Sequence, residues 1–430
     1  MSEGWPTVRL GDLLLESRYG TSAPCSDAGT VPVVGIPHVK GGRVSRNVQG
    51  MASLGEVESA ALSLRAGDIL ITRTNSPELV GRAGIVSEDS VAVFASYLVR
   101  LRVDTQRVVP DYLNYWLNSP DGRRQVRRLV TRAVCQANVN PTELRRHLRV
   151  PLPPLAEQQR IVDILAAWDA AIKKTERLIG VKTVQRTWLS KSLLDVPASA
   201  GEWPTVTLGE ICRAVTRKNS TGATNVLTSS AKSGLVDQSE YFNKDVSGVD
   251  LAGYYLIQRG EFAYNRSTSG GYPFGAIKRL DRHEEGVLST LYLCFELLSP
   301  DVSSDYLCHF FESGVMNREL GQICQAGARS HGLLNVTKAD FFSLRIPLPS
   351  PEAQSEIVRV LDAADREITI LRNLAFAYCS QRAALSQRLL SPGETGSPTE
   401  RKIAQTGGFL LFGDPAVTGG AAGQLSGGPR

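Results

Sequence analysis

Apolar and polar positions along this chain follow one pattern twice. Ile161, Leu165, Trp168, Ile172, Thr175, Ile179, Lys182, Arg186, Leu189 and Leu193 step by four and three. The series Ile357, Leu361, Ala364, Ile368, Leu371, Ala375, Tyr378, Arg382, Leu385 and Leu389 repeats it 196 residues later. That period is helical. No proline or glycine interrupts the second series and only Gly180 the first, so each predicts a helix of about 35 to 40 residues, about 55 Å long. A single apolar stripe of that length needs a partner, and the other copy supplies one. If a pseudo-two-fold axis relates the copies, the helices run antiparallel.

Ahead of each helix the period shortens. Ala66-Gly67-Asp68 reads as a turn into a buried strand at Ile69-Leu70-Ile71, and Tyr97 to Arg102 alternates as a half-exposed strand. Arg259 to Arg266 and Leu291 to Leu297 hold the corresponding places in the second copy. Helices are expected at Pro110 to Leu117 and Asp305 to Phe311. The edges of the copies match more closely than their middles. WPTVRLGDL at Trp5 to Leu13 returns as WPTVTLGEI at Trp203 to Ile211, and LRVPLPPLAEQQRIV at Leu148 to Val162 returns as LRIPLPSPEAQSEIV at Leu344 to Val358. The V-P-L-P and I-P-L-P stretches read as stiff connectors into the helices. Two repeats are too few for a solenoid, so each half must own a core.

The expected fold is α+β: two pseudo-symmetric globular α/β domains separated by two long antiparallel coiled-coil helices. Its boundaries are a first domain at 1–150, a helix or spacer at 151–197, a second domain at 198–346, a second helix at 347–391 and a tail at 392–430. The last forty residues hold ten glycines and four prolines, a composition expected to stay disordered.

Composition narrows the class. With 42% hydrophobic and 21% charged residues, no membrane-length apolar run and no signal segment, the chain reads as cytoplasmic with no membrane role. Seven widely spaced cysteines argue against a disulfide framework or a zinc site and for buried thiols in a reducing compartment. Five scattered histidines form no ligand set, and no phosphate-binding, nucleophile-elbow or methyltransferase motif occurs, so neither a catalytic nor a metal residue is assigned. A binding or assembly role is favoured.

Charge distribution says more than the net charge of +5. Eight arginines against two acids fall between Asp121 and Val150. If 123–132 is helical, Arg123, Arg124, Arg127 and Arg128 form a guanidinium band suited to phosphate or guanine. Polar loops add Tyr19, Thr21, Ser22, Arg73, Asn75 and Ser76 in the first half. Arg217, Lys218, Asn265, Arg266 and Ser267 add to them in the second, and Lys40, Arg43 and Lys278 are further cations. These are the candidate DNA contacts. Gln158, Ile161, Leu165, Trp168, Ile172, Gln354, Ile357, Leu361, Ile368 and Leu371 are the candidate helix-pairing positions.

The V-P-L-P-P-L-A-E-Q-Q-R-I-V run, its weaker copy, the W-P-x-V-x-L-G-[DE] openings and Gly67-Asp68-Ile69-Leu70 together resemble the specificity subunit of type I restriction-modification systems. The resemblance covers residues 5 to about 390. It implies two target recognition domains that read the parts of a bipartite, asymmetric sequence in double-stranded DNA. It implies helices that separate the domains and bind two methyltransferase subunits, with restriction subunits joining the full complex. The subunit itself is then non-catalytic and carries no cofactor; the partner subunits would use S-adenosylmethionine, ATP and Mg. Two rivals are a coiled-coil protein-binding scaffold and a DNA-cleaving enzyme with an unrecognised site.

Overall fold

A computed structural model describes residues 5–26, 28–45, 47–48, 50–76, 79–132, 137–230, 234–239, 250–268, 271–324 and 334–391. The tail expected to be disordered lies outside them. The chain divides into two compact units, Met1–Ile172 with Ala377–Arg430, and Lys173–Phe376. The division falls inside both long helices and not at their starts, because each helix is packed into the cores at its ends.

In the first unit the central sheet places strand Ile69–Thr72 between Leu98–Val103 and Ala83–Ile85, with Leu14–Tyr19 beyond Leu98–Val103. Helix Pro110–Asn118 contributes Tyr112, Leu113 and Trp116 to the core of this unit. The second unit repeats that order: Phe262–Asn265 lies between Tyr292–Leu297 and Ala276–Arg279, with Cys212–Val215 beyond Tyr292–Leu297. Helix Ser304–Glu312 contributes Tyr306, Leu307 and Phe310 to its core.

Of the expected half-exposed strand at Tyr97 to Arg102, Tyr97 is exposed, but the strand itself, Leu98–Val103, is buried except for the half-buried Arg102. Arg100 is only 1% exposed and donates to Glu16 Oε2 (2.8 Å), Ser63 O (2.9 Å) and Ala61 O (3.1 Å), beneath the Phe94 ring. Burial pushes its guanidinium below the ordinary arginine range. Alternation of charge and apolar residues here marks partnered arginines inside the unit, not a wet face. The second unit places Cys294 at the same register, opposite Ala263, where Arg100 stands opposite Leu70. Burial pushes the Cys294 and Cys212 thiols up to about 12. Cys25 and Cys379 are exposed, so the cysteines are not uniformly the buried thiols expected.

The copied edges meet each other. Thr7–Arg9 pairs antiparallel with Arg149–Pro151, and Thr205–Thr207 pairs with Arg345–Pro347, so each domain is closed by a two-stranded ribbon of its first and last strands. The first half of the V-P-L-P stretch and of its I-P-L-P copy is therefore strand, not connector. Tyr112 Oη donates to Pro151 O, and Tyr306 Oη to Pro347 O, locking both ribbons to the domain helix.

The long helices span Leu155–Ser190 and Pro351–Leu390, close to the expected lengths. Ile161 and Leu165 enter the first unit's core together with Leu389 and Leu390 from the end of the other helix. In the second unit Ile357 and Leu361 share a core with Leu189, Leu193 and Leu194. The helices are antiparallel in each unit: Trp168 meets Tyr378 edge to face at 5.6 Å and Asp169 accepts from Arg382 (2.9 Å), while Asp365 accepts from Arg186 (3.0 Å) and Glu367 pairs with Lys182 (2.9 Å). The charged seam positions, Lys182, Arg186 and Arg382, are thus ion-paired. Ile368 is buried, and Ile172 and Leu371 are half-buried.

Gln158 and Gln354 do not face the other helix. Gln158 Oε1 accepts from Val109 N, and its Nε2 donates to Pro153 O and Arg107 O. Gln354 repeats this with Ser303 N, Pro349 O and Asp301 O. Each glutamine clamps the first turn of a long helix to the loop that starts the domain helix. The orphan backbone groups at that junction are satisfied by it.

Candidate nucleic-acid interface

Arg73 follows the central strand of the first unit. Its amide donates to Tyr97 O (2.8 Å) and its carbonyl accepts from Val139 N (2.9 Å), so the backbone is held from both sides. Its guanidinium lies 4.8 Å over the ring of Tyr19, and the rings of Tyr19 and Tyr97 are exposed. Strand Thr74–Asn75 joins Ala137–Val139 and Val130–Arg132 in a three-stranded ribbon beside them, with Asn75 opposite Ala137. Ser76 opens the next turn, its carbonyl accepting from Leu79 N and Val80 N. Ser22 is exposed next to Thr21, but Thr21 is buried and bonds Glu58 and Ala23 N, so it braces the fold. Lys40 and Arg43 are exposed on a short hairpin, Arg43 lying 3.5 Å from Asp111.

The arginine helix ends sooner than its expected range: it spans Pro120–Arg128, and Val130–Arg132 is strand. Ser119 caps its start by accepting from Gly122 N. The four-arginine band divides. Arg124 is paired with Asp121 at 2.8 Å, Arg127 and Arg128 are exposed in the last turn, and Arg123 is half-buried. Arg82 faces Arg123 from the preceding loop. Burial, then repulsion from Arg127 and Arg82, lowers the Arg123 pKa to about 10.

The second unit has the same frame and a different face. Arg266 stands where Arg73 does, after the central strand, but donates to Leu291 O and Val336 O. Arg217 is paired with Glu261 through two short bonds, and Lys278 is buried against Glu312 and Tyr272. These three cations hold the unit together and are not loose surface charges. Lys218 is exposed, donating to Gly253 O over the Tyr255 ring. Asn265 Oδ1 accepts from Ser267 N, closing a turn at half-exposed positions.

Arg82, Tyr97 and Asn138 join this face although nothing in their local sequence marks them. Arg82 is a single charge between glycine and alanine, and only the fold brings it to the arginine helix. Asn138 lies across the ribbon from Thr74, a contact between residues far apart in the chain. Among the described residues no group of three His, Cys, Asp or Glu side chains is placed to hold a metal, and no helix is long and apolar enough to cross a membrane.

Comparison with known proteins gives this architecture a context. The family described as "Type I restriction modification DNA specificity domain" matches the chain twice, over residues 2–183 and 200–375. The putative type I restriction enzyme MjaX specificity subunit of Methanocaldococcus jannaschii is 25% identical over 404 residues, 86% of this chain and 89% of that protein. The type I restriction enzyme StySPI specificity subunit of Salmonella potsdam is 26% identical over 223 residues, 51% of this chain and 48% of that protein. In fold, the S subunit of a type I restriction-modification system from M. genitalium matches with a TM-score of 0.54 at 12% identity, covering 91% of this chain and 97% of the other. A chain solved in a study of complex assembly and conformational transition of the type I R-M system matches at 0.52 and 17%, covering 90% and 97%. With one family domain on each unit and both arranged about paired long helices, the chain belongs to the family of type I restriction-modification DNA specificity subunits.

Proposed function

We propose that each unit reads one part of a bipartite, asymmetric sequence in double-stranded DNA, and that the long helices dock two methyltransferase subunits and set the spacing of the parts. The observation that carries this reading is a contrast. The residues that build the frame recur at equivalent places, as with Gln158 and Gln354, Tyr112 and Tyr306, or Asp169 and Asp365. The residues on the exposed rim do not: Arg73 is stacked on Tyr19, whereas Arg266 is tied to carbonyls. A common frame with unlike faces suits two readers of unlike sequences. Val181, Val184 and Trp188 are exposed at i, i+3 and i+7 on the first long helix and offer an apolar face to a protein partner. Methylation with S-adenosylmethionine, and cleavage driven by ATP and Mg in restriction subunits, belong to those partners. The test is modified-base sequencing of DNA exposed to the chain reconstituted with its methyltransferase. Methylated adenines in a two-part motif with a constant gap are expected; an uninterrupted motif, or none, overturns the reading.

A further inference from the structure

Three strands of the first domain's central sheet bring three side chains to one end of it. Tyr19 closes Leu14–Tyr19, Tyr97 immediately precedes Leu98–Val103, and Arg73 immediately follows Ile69–Thr72. The antiparallel pairings of Val99 with Tyr19 and of Leu98 with Thr72 set the three side by side. The Arg73 backbone is pinned there, its amide donating to Tyr97 O and its carbonyl accepting from Val139 N.

Among the described residues the Arg73 guanidinium makes no hydrogen bond. Its Nε is buried without a partner, and its Cζ lies 4.8 Å over the Tyr19 ring. A buried donor left unpaired is costly, and stacking on a ring offsets only part of that cost. Beside it Tyr19 is 46% and Tyr97 57% exposed, so two aromatic rings are kept at the surface. The second domain shows how an arginine at this place is held when its role is structural. Arg266 occupies the register of Arg73, but Thr216 stands in place of Tyr19 and Leu291 in place of Tyr97. Arg266 Nε donates to Leu291 O (2.8 Å) and its Nη1 to Val336 O (3.1 Å). In the first domain the matching carbonyl, Tyr97 O, is taken by the Arg73 amide, and the guanidinium is laid on a ring instead.

Guanine presents O6 and N7 in the major groove as two acceptors spaced to suit an arginine fork. A phosphate accepts from an arginine at many angles, whereas a base edge demands a guanidinium held in one plane. The Tyr19 ring fixes that plane, and the two-sided backbone pairing fixes the point from which the side chain extends. We infer that Arg73 reads a guanine in the part of the target met by the first domain, through its two Nη atoms, and that Tyr19 is its positioning residue. This rests on the DNA-reading role proposed above. The second domain, with Arg266 tied to carbonyls, reads its part through other side chains.

The experiment maps methylated motifs by modified-base sequencing with the full chain reconstituted with its methyltransferase. The half read by the first domain is the half that a graft of residues 10–147 changes. The unaltered complex is expected to require guanine at a position in that half. Arg73→Gln is expected to relax that one position, cutting the preference for guanine by about 5- to 150-fold. The other positions, the gap and the melting temperature stay the same. Competition binding with duplexes carrying each base at that position reads the same preference where methylation is too slow to map. The slope of log affinity against log salt should change by less than about half a unit, since losing a phosphate contact would take away about 0.9. Tyr19→Leu is expected to weaken the preference at the same position, and Tyr19→Phe, which keeps the ring face, to retain it. An unchanged motif in Arg73→Gln overturns the assignment, whether or not the salt slope falls, and so does relaxation in the other half. Equal relaxation in Tyr19→Phe and Tyr19→Leu overturns the part given to the ring. If the unaltered complex methylates no two-part motif, the DNA-reading role itself has failed; a two-part motif that survives Arg73→Gln leaves that role standing and removes only the arginine.

Discussion

Replacing Gln158, which is itself fully buried, with alanine would leave the amide of Val109 and the carbonyls of Pro153 and Arg107 without their partner. Unsatisfied buried groups cost about 1–3 kcal/mol each, so a loss of about 2–4 kcal/mol is expected for Gln158→Ala and for Gln354→Ala. Denaturant unfolding of the full chain measures it; a loss under about 0.5 kcal/mol would show that water replaces the side chain. The same logic separates legible from illegible residues. Gln158 is visible in the sequence as a copied position, yet its direction is not: a glutamine on a helix stripe looks the same whether it faces another helix or clamps a loop. The copied Gly67-Asp68 is likewise structural. Gly67 takes φ of +84°, and Asp68 accepts from Arg65 N and Arg102, a part that Gly260 and Glu261 repeat with Gln258 N and Arg217.

Helix pairing is where the sequence pattern is most informative, since a 3.6-residue period sustained over about ten turns fits neither strand nor loop. Periodicity does not account for its polar interruptions. Arg186 and Arg382 meet Asp365 and Asp169, the same two helix positions exchanged between copies, and only antiparallel alignment brings them together. Being half-exposed, each pair contributes about 1 kcal/mol or less, so its role is chiefly to set register. Exchanging the charges, Asp169→Arg with Arg382→Asp, should recover most of the stability that either single change loses. Thermal unfolding of the two single variants and the double one checks this, and double-variant stability no better than the sum of the singles would count against register control. Tyr115 complicates the exchange in a measurable way, because it donates to Asp169 and packs under Arg382; recovery should be more complete in the Tyr115→Phe background.

For the whole chain, the pairing of first and last strands fixes where one domain can be exchanged for another. A graft of residues 10–147 from a relative keeps Thr7–Arg9 and Arg149–Pro151 together, whereas a cut at residue 6 mixes the ribbon. The expected outcome is a new sequence in one half of the methylated motif with the other half and the gap unchanged. Modified-base sequencing reads the result, and change in both halves would show that the domains do not read independently.

Order, duplication, helix lengths and the divergence of the middles were determined by the sequence alone, because each is written in residues close along the chain or in a direct copy of them. Tertiary structure alone decided which charges are free. Arg100, Arg217, Arg266 and Lys278 are tied to groups from 25 to more than 80 residues away, while Arg82 joins the arginine helix from about 40 residues upstream. Charge is a property of a residue, but its availability to DNA depends on distances between chain-remote atoms, and those exist only once the sheets have closed.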